Sequence, residues 1–121
     1  MKFIDSDTNF PISSAVVHSG KIFEAVVTGI PDGDSKPVSG GAGPEMREAF
    51  RQLDLLLKEA GVDRKAICTA RLYLHNVIHD VPEVNVVWKE YFGNHPVVRR
   101  CYGVVLQAGM RVEAAFTAEI P

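Results

Sequence analysis

Ala66-Ile67-Cys68-Thr69-Ala70-Arg71-Leu72-Tyr73-Leu74 is the stretch on which the fold turns. Successive residues of an extended chain point to opposite faces. Cys68, Ala70, Leu72 and Leu74 therefore share one apolar face. Ile67, Thr69, Arg71 and Tyr73 share the other, which carries a guanidinium and two hydroxyls. A strand patterned this way is buried on one side only.

Helices flank it. Downstream, Asp80 reads as an N-cap with Glu83 three residues on, and Pro82 suits a first turn. Val84, Val87, Trp88 and Tyr91 then form an inner stripe that Gly93 ends. Upstream, Pro44 opens a helix in which Met46, Phe50, Leu53, Leu57 and Ala60 recur at helical spacing, with Leu55 and Leu56 widening the stripe. Gly61 closes it in a left-handed cap position. Strands stand at both ends of the chain. Ala15–His18 and Lys21–Thr28 form a hairpin about Ser19-Gly20, and Val97–Val105 and Met110–Ala118 finish the sequence. The connection Gly29–Gly43 is long enough to suggest a functional or mobile loop. The order strand, strand, helix, strand, helix, strand, strand predicts a single α+β domain over residues 1–121, with one sheet and both helices packed on one face.

A chain of 121 residues with 46% hydrophobic and 23% charged residues has room for a real core. Its net charge of -2 provides no basic face for a nucleic-acid backbone. Arg99-Arg100 and Arg64-Lys65 are its only adjacent basic pairs, so no nucleic-acid partner is expected. Cys68 and Cys101 have no metal-ligand or redox spacing. Met1–Asp7 lacks the apolar core of a signal peptide, and no apolar run approaches membrane-spanning length. The expectation is a reduced, cytoplasmic protein with no membrane partner.

Among candidate functional residues, Arg99 stands out. Adjacent strand residues face opposite ways, so Arg99 and Arg100 occupy different environments. A guanidinium on a rigid strand is a fork suited to gripping a carboxylate in two places. Cys101 shares the face of Arg99, and its backbone N–H is a possible anion donor. Glu24 interrupts an apolar strand, where a charge faces solvent or meets a partner. Glu113 shares a face with Arg111 and Ala115. His75 and His79 are four apart but flank a strand end and a turn with no third ligand nearby, so no metal and no cofactor is expected. Ser39–Gly43 lacks the Gly-Lys-Ser/Thr ending of a phosphate loop. Ser13 and Ser14 have no identifiable base and read as turn or cap residues.

The first helix, Thr69-Ala70-Arg71-Leu72-Tyr73-Leu74 with Val84-Asn85-Val86-Val87-Trp88 and Tyr91-Phe92, and His95-Pro96-Val97-Val98-Arg99 with Cys101 together resemble the Rid family. These are the reactive intermediate deaminases, also called YjgF-like and, by an older label, L-PSP endoribonucleases. The likeness runs nearly end to end, with Val112-Glu113-Ala114-Ala115 matching more loosely. It implies a chorismate-mutase-like α+β fold with one mixed sheet, and a homotrimer with clefts between subunits. It further implies that Arg99 binds the carboxylate of a small reactive imine or enamine acid, aided by backbone N–H groups including that of Cys101. Water then hydrolyses the C=N bond to give a 2-keto acid and ammonia. Three positions depart from the archetype. Ile12 stands where it has tyrosine. Its Ser-Gly-Gln falls by spacing on Ala25-Val26-Val27-Thr28-Gly29, which makes Thr28 and Gly29 the substrate-binding candidates there. Ala115 replaces the glutamate implicated in activating water, leaving Glu113 or Glu24 to substitute. A non-catalytic binding or sensing protein on the same scaffold is the alternative reading, and a ribonuclease ranks below both.

Overall fold

The period-two alternation becomes a six-stranded mixed sheet in the computed structural model, which describes residues 1–121. The elements are β1 (Lys2–Ser6), β2 (Ser13–His18), β3 (Ile22–Thr28), α1 (Ala42–Glu59), β4 (Ile67–Leu74), α2 (Val77–Phe92), β5 (Val98–Gly103) and β6 (Val112–Glu119). Their order across the sheet is β1-β2-β3-β6-β4-β5. Every pairing is antiparallel except β4–β5, whose strands run parallel and are joined by α2 as the crossover. No helix is long and apolar enough to cross a membrane.

Both helices lie on one face. Phe23, Ala25 and Val27 of β3, Ala70, Leu72 and Leu74 of β4, and Val112, Ala114, Phe116 and Ala118 of β6 are buried beneath them. Met46, Phe50, Leu53 and Leu57 of α1 meet this layer, as do Val84, Val87, Tyr91 and Phe92 of α2. Phe50 stacks on Tyr91 with ring centroids 3.8 Å apart, and Trp88 packs on Phe92 at 4.6 Å. The opposite face of the sheet carries no helix.

Leu55 is exposed on the outer side of α1, where only Leu56 widens the buried stripe, and four further local features differ from the sequence expectations. First, β1 adds an edge strand, of which only Ile4 is buried. Second, Ile67 pairs with Ala118 and Thr69 with Thr117, so Cys68 is the extra residue of a bulge. The bulge turns Ile67 inward and leaves Cys68 exposed, which buries the larger apolar side chain. Third, α2 begins at Val77, not Asp80. Asn76 caps it by accepting the His79 N–H at 3.1 Å, which places Pro82 beyond the first turn. Fourth, α1 begins at Ala42, two residues before Pro44, with no side-chain cap of its own. Glu83 of α2 accepts the Gly43 N–H at 3.1 Å, so the acid read as half of a capping box on α2 serves the start of α1 instead.

Asp80 is freed from capping because it is fully buried and grips Arg111. The guanidinium donates through Nε at 3.1 Å and Nη2 at 3.0 Å, and His79 Nδ1 lies 2.7 Å from the same carboxylate. The Arg111 backbone N–H donates to buried Glu45 at 2.8 Å. Helix α1, helix α2 and the entry to β6 therefore meet at one ionic knot. Burial pushes Asp80 up, but hydrogen bonds from Arg111 and His79 outweigh it and hold the carboxyl below its usual 3.8. Burial dominates at Glu45 and raises it above 4.5, against the hydrogen bonds from Arg111 and Val112 N–H. Gly29 closes the same corner, since a Cβ there would sit 2.5 Å from Glu45 Cβ and 2.8 Å from its Cα.

This corner generates three predictions. Gly29→Ala forces α1 off the end of β3 and should lower unfolding free energy by about 1–3 kcal/mol in urea titrations; an unchanged midpoint would show that α1 yields freely. For the ionic knot the signs oppose. The contribution of Asp80 is complete above 3.8 and is lost as pH falls through its depressed value, whereas that of Glu45 is complete below 4.5 and is lost as pH rises through its raised value. Asp80→Asn should therefore cost about 2–4 kcal/mol at pH 7 and flatten the loss of stability below pH ~4. Glu45→Gln keeps an acceptor oxygen and should be at least as stable as wild type at pH 7. A Glu45→Gln protein markedly weaker than wild type at that pH contradicts the assignment.

Candidate functional site

Arginine pairing singles out one candidate region. The chain has seven arginines. Arg47 holds Glu90, Arg51 holds Glu48, Arg64 holds Asp54 and Arg111 holds Asp80. The three without an ion partner, Arg71, Arg99 and Arg100, stand together on β4 and β5, the last two strands of the sheet.

Arg99 projects from β5 on the helix-covered side. It pairs with Ala70, which pairs with Phe116, which pairs with Ala25, so the guanidinium ends an apolar row where the sheet reaches its edge. Its Cζ lies 4.9 Å from the ring centroid of Trp88, and that indole is itself held by Phe92 and Phe50. A cation over an indole face is attracted by the ring quadrupole while its N–H fork stays open to an anion. Cys101 lies on the same face and packs against the core. Burial pushes its thiol up, with Arg99 pulling the other way, so at neutral pH it is a neutral, weakly polar wall.

The other candidates lie elsewhere. Glu24 and Glu113 are on the open face, on β3 and β6 respectively. Glu24 is engaged by His18 Nε2 at 2.8 Å. Glu113 pairs across strands with Thr28 and Tyr73 and has no ion partner. Thr28 and Gly29 are occupied in holding their own loop. The Thr28 N–H donates to Gln52 Oε1 at 3.4 Å, its hydroxyl accepts the Ile30 N–H at 3.2 Å, and the Gly29 carbonyl accepts the Val38 N–H at 2.9 Å. Gln52 also donates to the Ile30 carbonyl at 2.7 Å, so the long connection is pinned to α1. Within one protomer the structure brings Arg99 and Cys101 together and separates both from Glu24 and Glu113 by the thickness of the sheet. Ile12 is exposed in the β1–β2 connection.

Sequence reasoning passed over two residues. Trp88 read as part of the core stripe, and nothing in helical periodicity shows that its outer face lies under a β5 arginine. Arg71 read as an ordinary solvent-facing charge. Its cross-strand partners are Ala115 on one side and Arg100 on the other. Arg71 and Ala115 also line a cavity of about 330 Å³ on the open face, together with Glu24, Val26 and Thr117.

Comparison with known proteins shows the family and the fold. Residues 7–120 match the family described as endoribonuclease L-PSP. The human protein named 2-iminobutanoate/2-iminopropanoate deaminase is 31% identical over 104 residues, covering 85% of this chain and 75% of the human one. The bovine protein of the same name is 33% identical over the same shares. Among solved structures, a Rid-family protein of Yersinia pestis superposes with a TM-score of 0.83 at 24% identity, covering 96% of this chain and 94% of that one. Yeast Mmf1 superposes at 0.85 with 20% identity, covering 100% and 95%.

Proposed function

Because the chain belongs to the endoribonuclease L-PSP family, the Rid or YjgF group, we propose that it hydrolyses small 2-imino acids to 2-keto acids and ammonia, with Arg99 as the carboxylate clamp. The observation that carries this is the Arg99 guanidinium, free of any ion pair and seated over Trp88 at the edge of the sheet. A substrate carboxylate bound there in two places leaves the C=N carbon in a fixed position. Water adds to that carbon, one of its protons passes to nitrogen, and a carbinolamine forms. The C–N bond then breaks as the hydroxyl becomes a carbonyl, and ammonia departs. No redox change occurs.

The carboxylate that receives the proton of water comes from the open face. Glu113 is our assignment, since Glu24 is engaged by His18. Arg99 and Glu113 face opposite ways in one protomer, so the site is completed by a second copy, in a homotrimer where the β5 edge of one copy, which carries Arg99, meets the open sheet face of the next. Phe3, Val26, Val98 and Tyr102 on that face are exposed apolar side chains of the kind an interface covers. The two free thiols suit a reducing, cytoplasmic setting.

A second reading has one specific observation in its favour. Ala115 places no carboxylate at the centre of the open face, which suits a protein that binds keto or imino acids without turning them over.

Ammonia release from freshly generated 2-iminobutanoate tests both. Wild type should accelerate it, and Arg99→Ala should lower kcat/KM by about 100-fold or more, with Arg99→Lys between the two. Wild type without acceleration but with a raised melting temperature in 2-oxobutanoate selects the binding reading. Turnover that survives Arg99→Ala defeats the clamp.

A further inference from the structure

Arg71 and Arg100 are left over by that mechanism. They are direct neighbours in the parallel β4–β5 register, about 5 Å apart across the ladder. Like charges placed opposite one another on a sheet repel. Neither arginine has an ion-pair partner within the chain. Of the acids on the same face, Glu24 is held by His18, and Glu113 lies diagonally from Arg71 without reaching it. An anion from outside the chain removes this repulsion.

The space for it is present. Arg71 stands beside Ala115, whose single methyl group leaves the cavity open above it. A volume of about 330 Å³ falls at the small end of metabolite sites, about 300–1,000 Å³. We propose that Arg71, with Arg100 beside it, receives a second anionic group of the ligand, so that the site takes 2-imino or 2-keto dicarboxylates in preference to acids with a short neutral side chain. This rests on the intersubunit reading above: Arg99 of one protomer holds the carboxylate next to the reacting carbon, and Arg71 of the next holds the distal one. A short neutral side chain leaves the two arginines uncompensated, and sites built around buried or focused charge discriminate strongly against ligands that lack its partner.

The test compares 2-iminoglutarate with 2-iminobutanoate as substrates, and 2-oxoglutarate with 2-oxobutanoate as stabilising ligands. Both comparisons use wild type and Arg71→Met, with assembly followed by light scattering. Wild type should favour the dicarboxylate by about tenfold or more. Arg71→Met should abolish that preference while leaving 2-iminobutanoate within about twofold and the assembly intact. Selective stabilisation by 2-oxoglutarate, lost in Arg71→Met, supports the inference even without turnover. Equal handling of both ligands, unchanged by Arg71→Met, overturns it while leaving the Arg99 clamp standing. A uniform loss for both ligands accompanied by dissociation makes Arg71 an interface ion pair and also overturns it. Inorganic phosphate stabilising as well as 2-oxoglutarate overturns the commitment to dicarboxylates. Neither turnover nor stabilisation with any of these acids defeats the Arg99 reading, and this one with it.

Discussion

The parallel pairing of β4 with β5, closed by α2, sets the rest of the molecule in place. The antiparallel neighbours β1–β2 and β2–β3 are consecutive and joined by short connections, while β6 enters last between β3 and β4. A parallel pair needs a crossover of about a dozen residues or more, and the crossover must pack back on the sheet. Its packing lays Trp88 over the face from which Arg99 emerges. Its first turns bring Asp80 to Arg111 and Glu83 to the start of α1. In-register parallel pairing also sets Arg100 opposite Arg71. One topological requirement therefore places the aromatic platform, the ionic knot and the arginine pair.

With both helices on one face, two adjacent arginines on β5 must divide between environments. Arg99 terminates an apolar row and is steadied by an indole. Arg100 enters a face that has no helix and carries Arg71, Tyr73, Tyr102, Glu113 and Glu24. A single copy therefore holds the proposed clamp on one side and the open-face carboxylates on the other, and the proposed assembly of copies is what would join them.

Much of this was legible in the sequence where one signal acted alone. The alternation of Ala70, Leu72 and Leu74 and the stripe Met46, Phe50, Leu53, Leu57 are each dictated by burial on a regular period, and both hold. Legibility failed where two local signals competed. Asn76 and Asp80 are both capping residues, and the choice fell to Asn76 because Asp80, itself buried, meets the guanidinium of Arg111 just before β6, a partner 31 residues away. Cys68 and Ile67 both fit an inward position, and a bulge gave it to the larger apolar group. β1 has only Ile4 buried, too little pattern for periodicity to detect. In the candidate site, the strand position of Arg99 was legible because it is a local fact. The pairing of Arg71 with Arg100 is not local: it depends on strand register, which no sequence window contains.

Ala115 connects the two halves of the functional argument. The archetype's glutamate, placed there, would stand directly across the ladder from Arg71 and would neutralise it, as opposite charges do in cross-strand pairs. With alanine, the guanidinium keeps its charge and the cavity keeps its volume. The same replacement that takes a carboxylate from this position thus leaves an unpaired cation on the open face. In the proposed reaction the general base falls to Glu113, one row along the same strand face, while the proposed dicarboxylate gains a second point of attachment. Under these proposals the site is not simply a weakened version of the archetype: its free charge favours a different, more anionic ligand.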